Sequence, residues 1–258
     1  MKIHVQKKSK EKMTFVLEES NPAFANALRR YMMTGVSTMA IKEVYFEKNN
    51  SGLFDEIIAH RLGLIPLTFD EKVFKQRDKC KCKDGCSHCQ VTLVLDKTGP
   101  CIVHGEDMKS TDGSVKPAAA GVPIIELLEG QQIKFEATAE LGCGSSHAKH
   151  QAAVVGYKYN PKVSLTDEGE PEEAMSMCPK NVFSKRDGKI VVTNNDRCNM
   201  CMKCVASGAT KVSGDDSKFL FTAESISGKP IEYVLMAALD GMKADAKEFE
   251  KELKKSVK

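Results

Sequence analysis

The sequence predicts an α+β fold, in which strands and a few helices alternate along 258 residues. Runs of roughly four to eight residues with alternating or continuous apolar character recur through the chain, as in strands. Near both ends, apolar residues instead recur at steps of three and four, as in amphipathic helices. This length can bury a sizeable core in one or two domains. The net charge of +3 is too small to predict nucleic-acid binding from composition.

Composition also bears on the cellular compartment. No apolar run approaches the ~20 residues of a membrane-spanning helix. The N-terminal residues MKIHVQKKSK lack the apolar centre of a signal peptide. We therefore expect a cytoplasmic protein without membrane contact. Ten cysteines are the outlying number, and clustered cysteines in a reducing cytosol indicate metal binding or catalysis rather than disulfides.

The N-terminal region predicts a hairpin, a helix, a strand and a second helix. Ser20 is the expected N-cap of the first helix, Pro22 fits its first turn, and Gly35 can end it. The apolar residues that follow the helical period there are Phe24, Leu28, and Tyr31 or Met32. The other elements are expected at 3–5 and 13–17 (hairpin strands), 39–46 (third strand) and about 53–63 (second helix).

The rest of the chain predicts further strands and a long closing helix. Strand-like runs lie at 91–95, 102–104, 124–128, 133–139, 154–159 and 218–223. The acidic stretch TDEGEPEEA at 166–174 has the composition of a linker or a domain edge. Pro230 fits the first turn of the closing helix. The apolar residues of this helix form one stripe: Ile231, Leu235, Ala238, Met242, Ala246, Phe249 and Leu253. Such a stripe must pack on its own chain or on a partner, and the pattern leaves both open.

Cys198, Cys201 and Cys204 have the C-x2-C-x2-C spacing of an iron–sulfur site. This spacing bends a short loop so that three thiolates reach three irons, and a Cys-Pro cysteine elsewhere supplies the fourth ligand in bacterial ferredoxins. Cys178 precedes a proline and has that form. We predict one [4Fe–4S] cluster on these four cysteines, with a [3Fe–4S] form if one ligand is lost. A structural zinc site on the same thiolates is the alternative.

A second group, Cys80, Cys82, Cys86 and Cys89, has the spacing C-x-C-x3-C-x2-C. The surrounding loop has hardly any apolar residue to pack, so we expect a bound ion to hold it. Four thiolates within ten residues suit tetrahedral zinc. The alternatives are a second iron–sulfur cluster, four free thiols in a mobile loop, or His88 in place of one thiolate.

No catalytic site is recognisable in the sequence. It contains no P-loop, and no cluster of aspartates on one short loop to hold the two magnesium ions of nucleotidyl transfer. Cys101 and Cys143 have no partner motif and are assigned to packing. We therefore expect no catalytic residues and no enzymatic activity of the chain by itself.

The segments FANALRR, TMAIKEV and AHRLGLIPL resemble those of the D subunit of archaeal RNA polymerase. Three later segments resemble it too: HGEDMKS at 104–110, VPIIELLEGQQI at 122–133 and HAKHQAAVVGYKYNP at 147–161. The resemblance covers almost the whole chain and extends to the third-largest subunit of eukaryotic RNA polymerase II and, more distantly, to bacterial α. The sequence departs from the family in Gly-Val-Ser after the first helix, where Val-Pro is usual, and in His150, where the family usually has Trp.

The resemblance implies a particular domain organisation. A discontinuous α-like dimerisation domain would comprise 1–41, 157–168 and 217–258. A mixed α/β insert domain would comprise 42–156, with its zinc loop at 80–89 as in the eukaryotic relative. A ferredoxin-like domain, which some members of the family carry, would comprise 169–216.

The resemblance also implies function and partners. The chain would be a non-catalytic assembly subunit in transcription. It would pair with the smaller α-like subunit L and, with subunits N and P, form the platform for the large catalytic subunits. The expected dimer-interface residues are Phe24, Leu28, Arg29, Leu235, Met242 and Phe249. Because the chain ends with the dimer helix, contact with DNA is expected only through the holoenzyme. The alternative is an iron–sulfur electron carrier or redox sensor fused to an α-like dimerisation module.

Overall fold

The structure is a computed structural model that describes residues 1–83 and 85–257. Its strands are β1 Lys2–Lys8, β2 Lys12–Glu18, β3 Ser37–Asn49, β4 Gln90–Thr98, β5 Cys101–His104, β6 Lys109–Ser110, β7 Pro123–Leu127, β8 Gln132–Cys143, β9 Ala153–Leu165, β10 Phe183–Arg186, β11 Lys189–Val192 and β12 Thr210–Ser225. Its α-helices are α1 Pro22–Thr34, α2 Asp55–Gly63, α3 Pro171–Met177 and α4 Ile231–Ser256. The predicted α+β class is confirmed. Among the described residues, no helix is both long and apolar enough to cross a membrane.

The chain divides into two compact units. The first unit comprises Met1–Lys8, Met13–Arg29 and Gly156–Ala223. The second unit comprises Ser9–Lys12, Arg30–Val155 and Glu224–Lys258. This division does not test the three regions inferred from the resemblance, which stay predictions.

A four-stranded sheet in the order β1-β2-β12-β9 frames the first unit. Its core is aromatic: the buried rings of Phe15 and Phe221 stack with centroids 4.8 Å apart, and Tyr157 meets Phe219 edge-on at 5.6 Å. Strands β10 and β11 form a separate hairpin. Asp187 and Gly188 connect them, both at positive φ, as a two-residue hairpin turn requires.

The second unit is built on an antiparallel sheet in the order β3-β8-β4-β6, together with the β5–β7 pair. Helix α2 contributes the buried side chains of Ile58 and Leu62 to the apolar core of this unit. Arg61 in the AHRLGLIPL segment donates from Nη1 to the carbonyl oxygen of Ile124 on β7 at 2.8 Å. That segment therefore helps to build the interior of the unit.

The predicted N-cap of the first helix was wrong, and the linker expected at 166–174 was wrong in part. The N-cap of α1 is Asn21, whose Oδ1 accepts from the Phe24 N–H at 2.9 Å. Ser20 lies one residue too early, and within the described part of the chain its buried hydroxyl has no hydrogen-bond partner. The stretch at 166–174 is not wholly a linker either, because Pro171 starts α3 and is followed by two glutamates, which suit a helix N-terminus.

The N-terminal half of α4 is partly buried, and the rest of the helix is exposed. Ile231, Val234 and Ala238 are buried. Gly241 lets the ring of Tyr31 approach, because a Cβ on this glycine would lie 2.5 Å from Tyr31 Cε1. The Tyr31 hydroxyl donates to Asp245 Oδ2 at 2.5 Å. Beyond Met242, every described residue of α4 is exposed, so the helix extends past its own packing surface.

Candidate metal centres and assembly surface

The first candidate metal centre brings together Cys80, Cys82, Cys86 and Cys89. Their four Sγ atoms all lie within 4.8 Å of one another. Sulfur–sulfur distances are 3.3 Å for Cys80–Cys82, 3.6 Å for Cys80–Cys86, 3.5 Å for Cys82–Cys89 and 3.8 Å for Cys86–Cys89. A zinc–sulfur bond of about 2.3 Å in a regular tetrahedron places neighbouring sulfurs about 3.8 Å apart. The four thiols therefore converge at the spacing that a single tetrahedral ion requires.

The backbone around this group fixes the loop at both ends. Phe74 is buried in the core, and the Lys75 N–H donates to the His88 carbonyl at 2.7 Å. Cys86 accepts at its carbonyl from the N–H of Cys89 at 2.9 Å, and Cys89 leads into β4. The side chain of His88 is exposed and lies outside the converging group. The geometry therefore gives no support to His88 as a replacement ligand.

The second candidate centre brings together Cys178, Cys198, Cys201 and Cys204. All four line one small cavity in the first unit, together with apolar side chains that include Val163, Val182, Phe183 and Val212. Cys198 and Cys204 are 8% exposed, Cys178 is partly buried and Cys201 is exposed.

The two centres differ in the distances between their own sulfur atoms. Within the described residues, the group at 80–89 is the only one in which three or more candidate ligand atoms lie within 4.8 Å of one another. No three sulfurs of the second group are therefore so close together. The thiolates that hold a multi-iron cluster lie farther apart than those around a single ion, because the irons and sulfides lie between them.

Left-handed backbone bends the loop around the second cavity. Met200 and Met202 have φ of 55° and 61°, which costs a non-glycine residue of order 1 kcal/mol or more each. The Met200 N–H donates to Cys198 Sγ at 3.4 Å. Burial, and then the charges of the three neighbouring cysteines, raise the pKa of the Cys198 thiol. The site therefore disfavours four thiolates unless a cationic group compensates their charge.

Two side chains, one on strand β9 and one in the turn before Cys198, tie the start of this loop to the strand. Lys158 donates from Nζ to the carbonyl of Cys198 at 2.7 Å and also to the carbonyl of Asp196. Burial lowers the pKa of the Lys158 ammonium. Asn195 accepts at Oδ1 from the Val163 N–H at 3.1 Å and donates to the Pro161 carbonyl. Sequence reasoning missed Lys158 and Asn195, because neither belongs to a motif and each bonds to a segment more than 30 residues away in sequence.

The six predicted interface residues differ in exposure. Leu28 is 1% exposed and thus already covered by its own chain, whereas Phe249 is 70% exposed. Phe24, Arg29, Leu235 and Met242 are partly buried, and Arg29 donates to Asn26 Oδ1 at 3.0 Å and 3.2 Å. With Leu253, which is 50% exposed, Phe249 forms an apolar surface on the distal half of α4. We call Phe249 and Leu253 the distal stripe. The assignment of all six residues to an interface stays a prediction.

Comparison with known proteins defines first the class of this chain. Residues 44–157 match the family model described as "RNA polymerase Rpb3/RpoA insert domain". This region contains most of the second unit, including the 80–89 centre. The match assigns this region of the chain to the insert domain of Rpb3/RpoA-type RNA polymerase subunits.

Similar proteins over nearly the whole length define the family more closely. Three of them are named "DNA-directed RNA polymerase subunit Rpo3". The protein from Methanosphaera stadtmanae is 37% identical over 251 residues, which covers 92% of this chain and 93% of the relative. The protein from Archaeoglobus fulgidus is 35% identical and covers 93% of both. The protein from Thermococcus kodakarensis is 36% identical and covers 97% of both. The chain belongs to the Rpo3 family of RNA polymerase subunits, which confirms the family resemblance carried by its sequence motifs. The electron-carrier alternative is not favoured.

Proposed function

We propose that this chain is a non-catalytic assembly subunit of an archaeal DNA-directed RNA polymerase and works in the cytoplasm. The observation that carries the proposal is the identity of 37% to a protein named subunit Rpo3, over more than nine-tenths of both chains. Identity over such a length supports a shared place in the enzyme, rather than a shared module alone. The chemistry of RNA synthesis would then belong to the large subunits, and DNA would be reached only through the holoenzyme.

The distal stripe is the surface that we propose for pairing with the smaller α-like subunit L. Large apolar side chains on a soluble helix are stabilised when a partner removes them from water. The first two turns of α4 are held within the chain, which gives the distal half a fixed direction. Phe24 and Arg29 on α1, with Leu235 and Met242 on α4, would extend the interface. Subunits N and P and the large subunits would then assemble on the heterodimer.

At Cys80, Cys82, Cys86 and Cys89 we propose a structural zinc ion. The convergence of the sulfurs at single-ion spacing supports it, as does the lack of apolar residues to pack in the loop. Bound zinc would hold the loop closed against the sheet, since a site of four thiolates leaves no open position for catalysis. The residues of the loop would supply only shape to the insert region.

At Cys178, Cys198, Cys201 and Cys204 we propose one [4Fe–4S] cluster. The shared cavity and the N–H of Met200 directed at Cys198 Sγ support it. When bound, the cluster would supply a covalent brace between the end of α3 and the 198–204 loop. Exposure of Cys201 makes it the ligand that would be lost first in a [3Fe–4S] form.

Co-expression with a tagged subunit L under anaerobic conditions tests these proposals together. The predicted result is a stable heterodimer that carries about four irons, four acid-labile sulfides and one zinc per chain. Absence of co-purification would contradict the assembly role. Zinc without sulfide would contradict the cluster and leave two structural zinc sites. Iron and sulfide without zinc would contradict the assignment at 80–89.

A further inference from the structure

Arg77 reaches two sulfurs of the 80–89 centre from outside the cysteine motif. It begins the short 3-10 turn Arg77–Lys79. Its Nη1 atom lies 2.8 Å from Cys82 Sγ and 3.5 Å from Cys89 Sγ. Its Nη2 atom donates to the carbonyl oxygen of Lys83 at 2.6 Å. Since a guanidinium group can only donate, both sulfurs must accept from it.

The lysines of the loop lie on the exposed side, away from the sulfurs. Cysteines and lysines alternate from Lys79 to Lys83, so a locally extended backbone turns the thiols to one side and the lysines to the other. Lys79, Lys81 and Lys83 are exposed. Among the described basic side chains of this loop, Arg77 is the one with a hydrogen bond to sulfur.

The charge of the proposed site explains why such a partner matters. Four thiolates around one zinc dication leave a net charge of about −2. A cation in direct contact offsets part of that charge, and its N–H groups draw electron density from the sulfurs. Sulfurs that accept such bonds are weaker nucleophiles and are held at a fixed distance from each other. Arginine suits this position better than lysine because its planar fork presents several donors at once.

We propose that Arg77 is a positioning residue of the 80–89 metal site, holding Cys82 and Cys89 together, slowing metal loss and shielding these two thiolates from electrophiles. The inference rests on the proposed zinc ion. It assigns a role to one side chain that the cysteine pattern does not predict. It also divides the four ligands into a shielded pair, Cys82 and Cys89, and an unshielded pair, Cys80 and Cys86.

Three variants test the role of Arg77 in the heterodimer with subunit L. R77M removes the charge and the donors while keeping a long side chain. R77K keeps the charge but loses the fork. K81M removes a positive charge from the same loop without touching sulfur. The first readout is the rate of zinc transfer to the chromophoric chelator 4-(2-pyridylazo)resorcinol. The second is the order in which the four cysteines react with iodoacetamide, followed by mass spectrometry of peptides.

We expect R77M to release zinc roughly 10- to 100-fold faster than the unmodified protein, the range seen when an outer hydrogen-bond partner of a ligand is removed. Alkylation of Cys82 should accelerate in R77M relative to that of Cys80 and Cys86, which are as partly buried as Cys82 but lack the Arg77 contact, whereas buried Cys89 should stay the slowest. R77K should lie between, and K81M should match the unmodified protein. Recovery of R77M without zinc, while K81M retains it, would support the same role.

Three results would overturn the inference or its basis. Equal zinc release from R77M and the unmodified protein would contradict the role of Arg77. Equal acceleration in R77M and K81M would show that only the overall charge of the loop matters. An unmodified protein that contains no metal at 80–89 would instead contradict the zinc proposal, so the two failures are distinguishable.

Discussion

Replacing Phe249 and Leu253 by serine should leave the chain folded and weaken the proposed pairing with subunit L. A phenylalanine side chain buries ~200 Å² when covered completely. With Phe249 at 70% exposed, roughly 140 Å² remains available to a partner, which corresponds to ~3.5 kcal/mol at ~25 cal/mol per Å². Leu253 at 50% exposed would add about 1 kcal/mol. Because these are upper estimates, we expect the double variant to bind ~10²- to 10³-fold more weakly.

Titration calorimetry of the purified chain against subunit L measures this change directly. Thermal unfolding of the chain alone should shift by no more than ~0.5 kcal/mol, because both side chains are largely exposed in it. Lys251→Ser is the matched control, since it lies between the two residues in sequence but faces the opposite side of α4 and is also exposed. Unchanged affinity of the double variant would refute the reasoning. Unfolding of the isolated variant at a much lower temperature would show that the stripe packs within the chain.

Three further predictions concern the interior of each unit. If the proposed iron–sulfur cluster is bound, Lys158→Met should lose it in air roughly tenfold faster, because two loop carbonyls lose their donor. Lys189→Met on the exposed edge of the hairpin is the control, and equal rates of sulfide loss would contradict the prediction. Gly241→Ala should destabilise the chain by about 1–2 kcal/mol in thermal unfolding, since the added methyl would overlap a Tyr31 ring that Asp245 holds in place. Gly52→Ala is the control and should not destabilise the chain, because the space around Gly52 is open. A gain in stability for Gly241→Ala would refute this account. Burial lowers the pKa of His150, so the unfolded chain binds a proton at this residue more readily than the folded chain does. The free energy of unfolding should therefore fall as the pH drops below about 6.5. His150→Phe should flatten this pH dependence, and an unchanged slope would contradict the prediction.

Elements with a clear local signal were predictable from the sequence. The period of α1 and the stripe of α4 repeat over several turns, and the alternation of apolar residues marks β4 and β8. Two short elements were missed although each carries a local signal. The Asp187-Gly188 turn identifies the β10–β11 hairpin, and Pro171 followed by two glutamates identifies α3. The polar composition of 166–174 had favoured a linker over α3, and no element had been predicted at the hairpin.

The candidate centres were predictable only as far as their cysteines. Spacing alone suggests which thiols can converge, because the backbone between them is short. The supporting residues are set by tertiary structure instead: Lys158 is 40 residues from Cys198, to whose carbonyl it donates. Arg77 lies near its motif but in a loop with several other basic residues, and only the fold distinguishes it from them. The packing of Tyr31 on Gly241 likewise depends on helices far apart in sequence.

Reconstitution of the polymerase from separately purified subunits tests the assembly role most directly. Without this chain, we expect the large subunits not to form a complex and no RNA to be made. With the Phe249 and Leu253 double variant, we expect less assembled polymerase but an unchanged rate of RNA synthesis per assembled complex. An active complex formed without the chain would contradict the account, and so would a normal yield of complex with a reduced rate of synthesis.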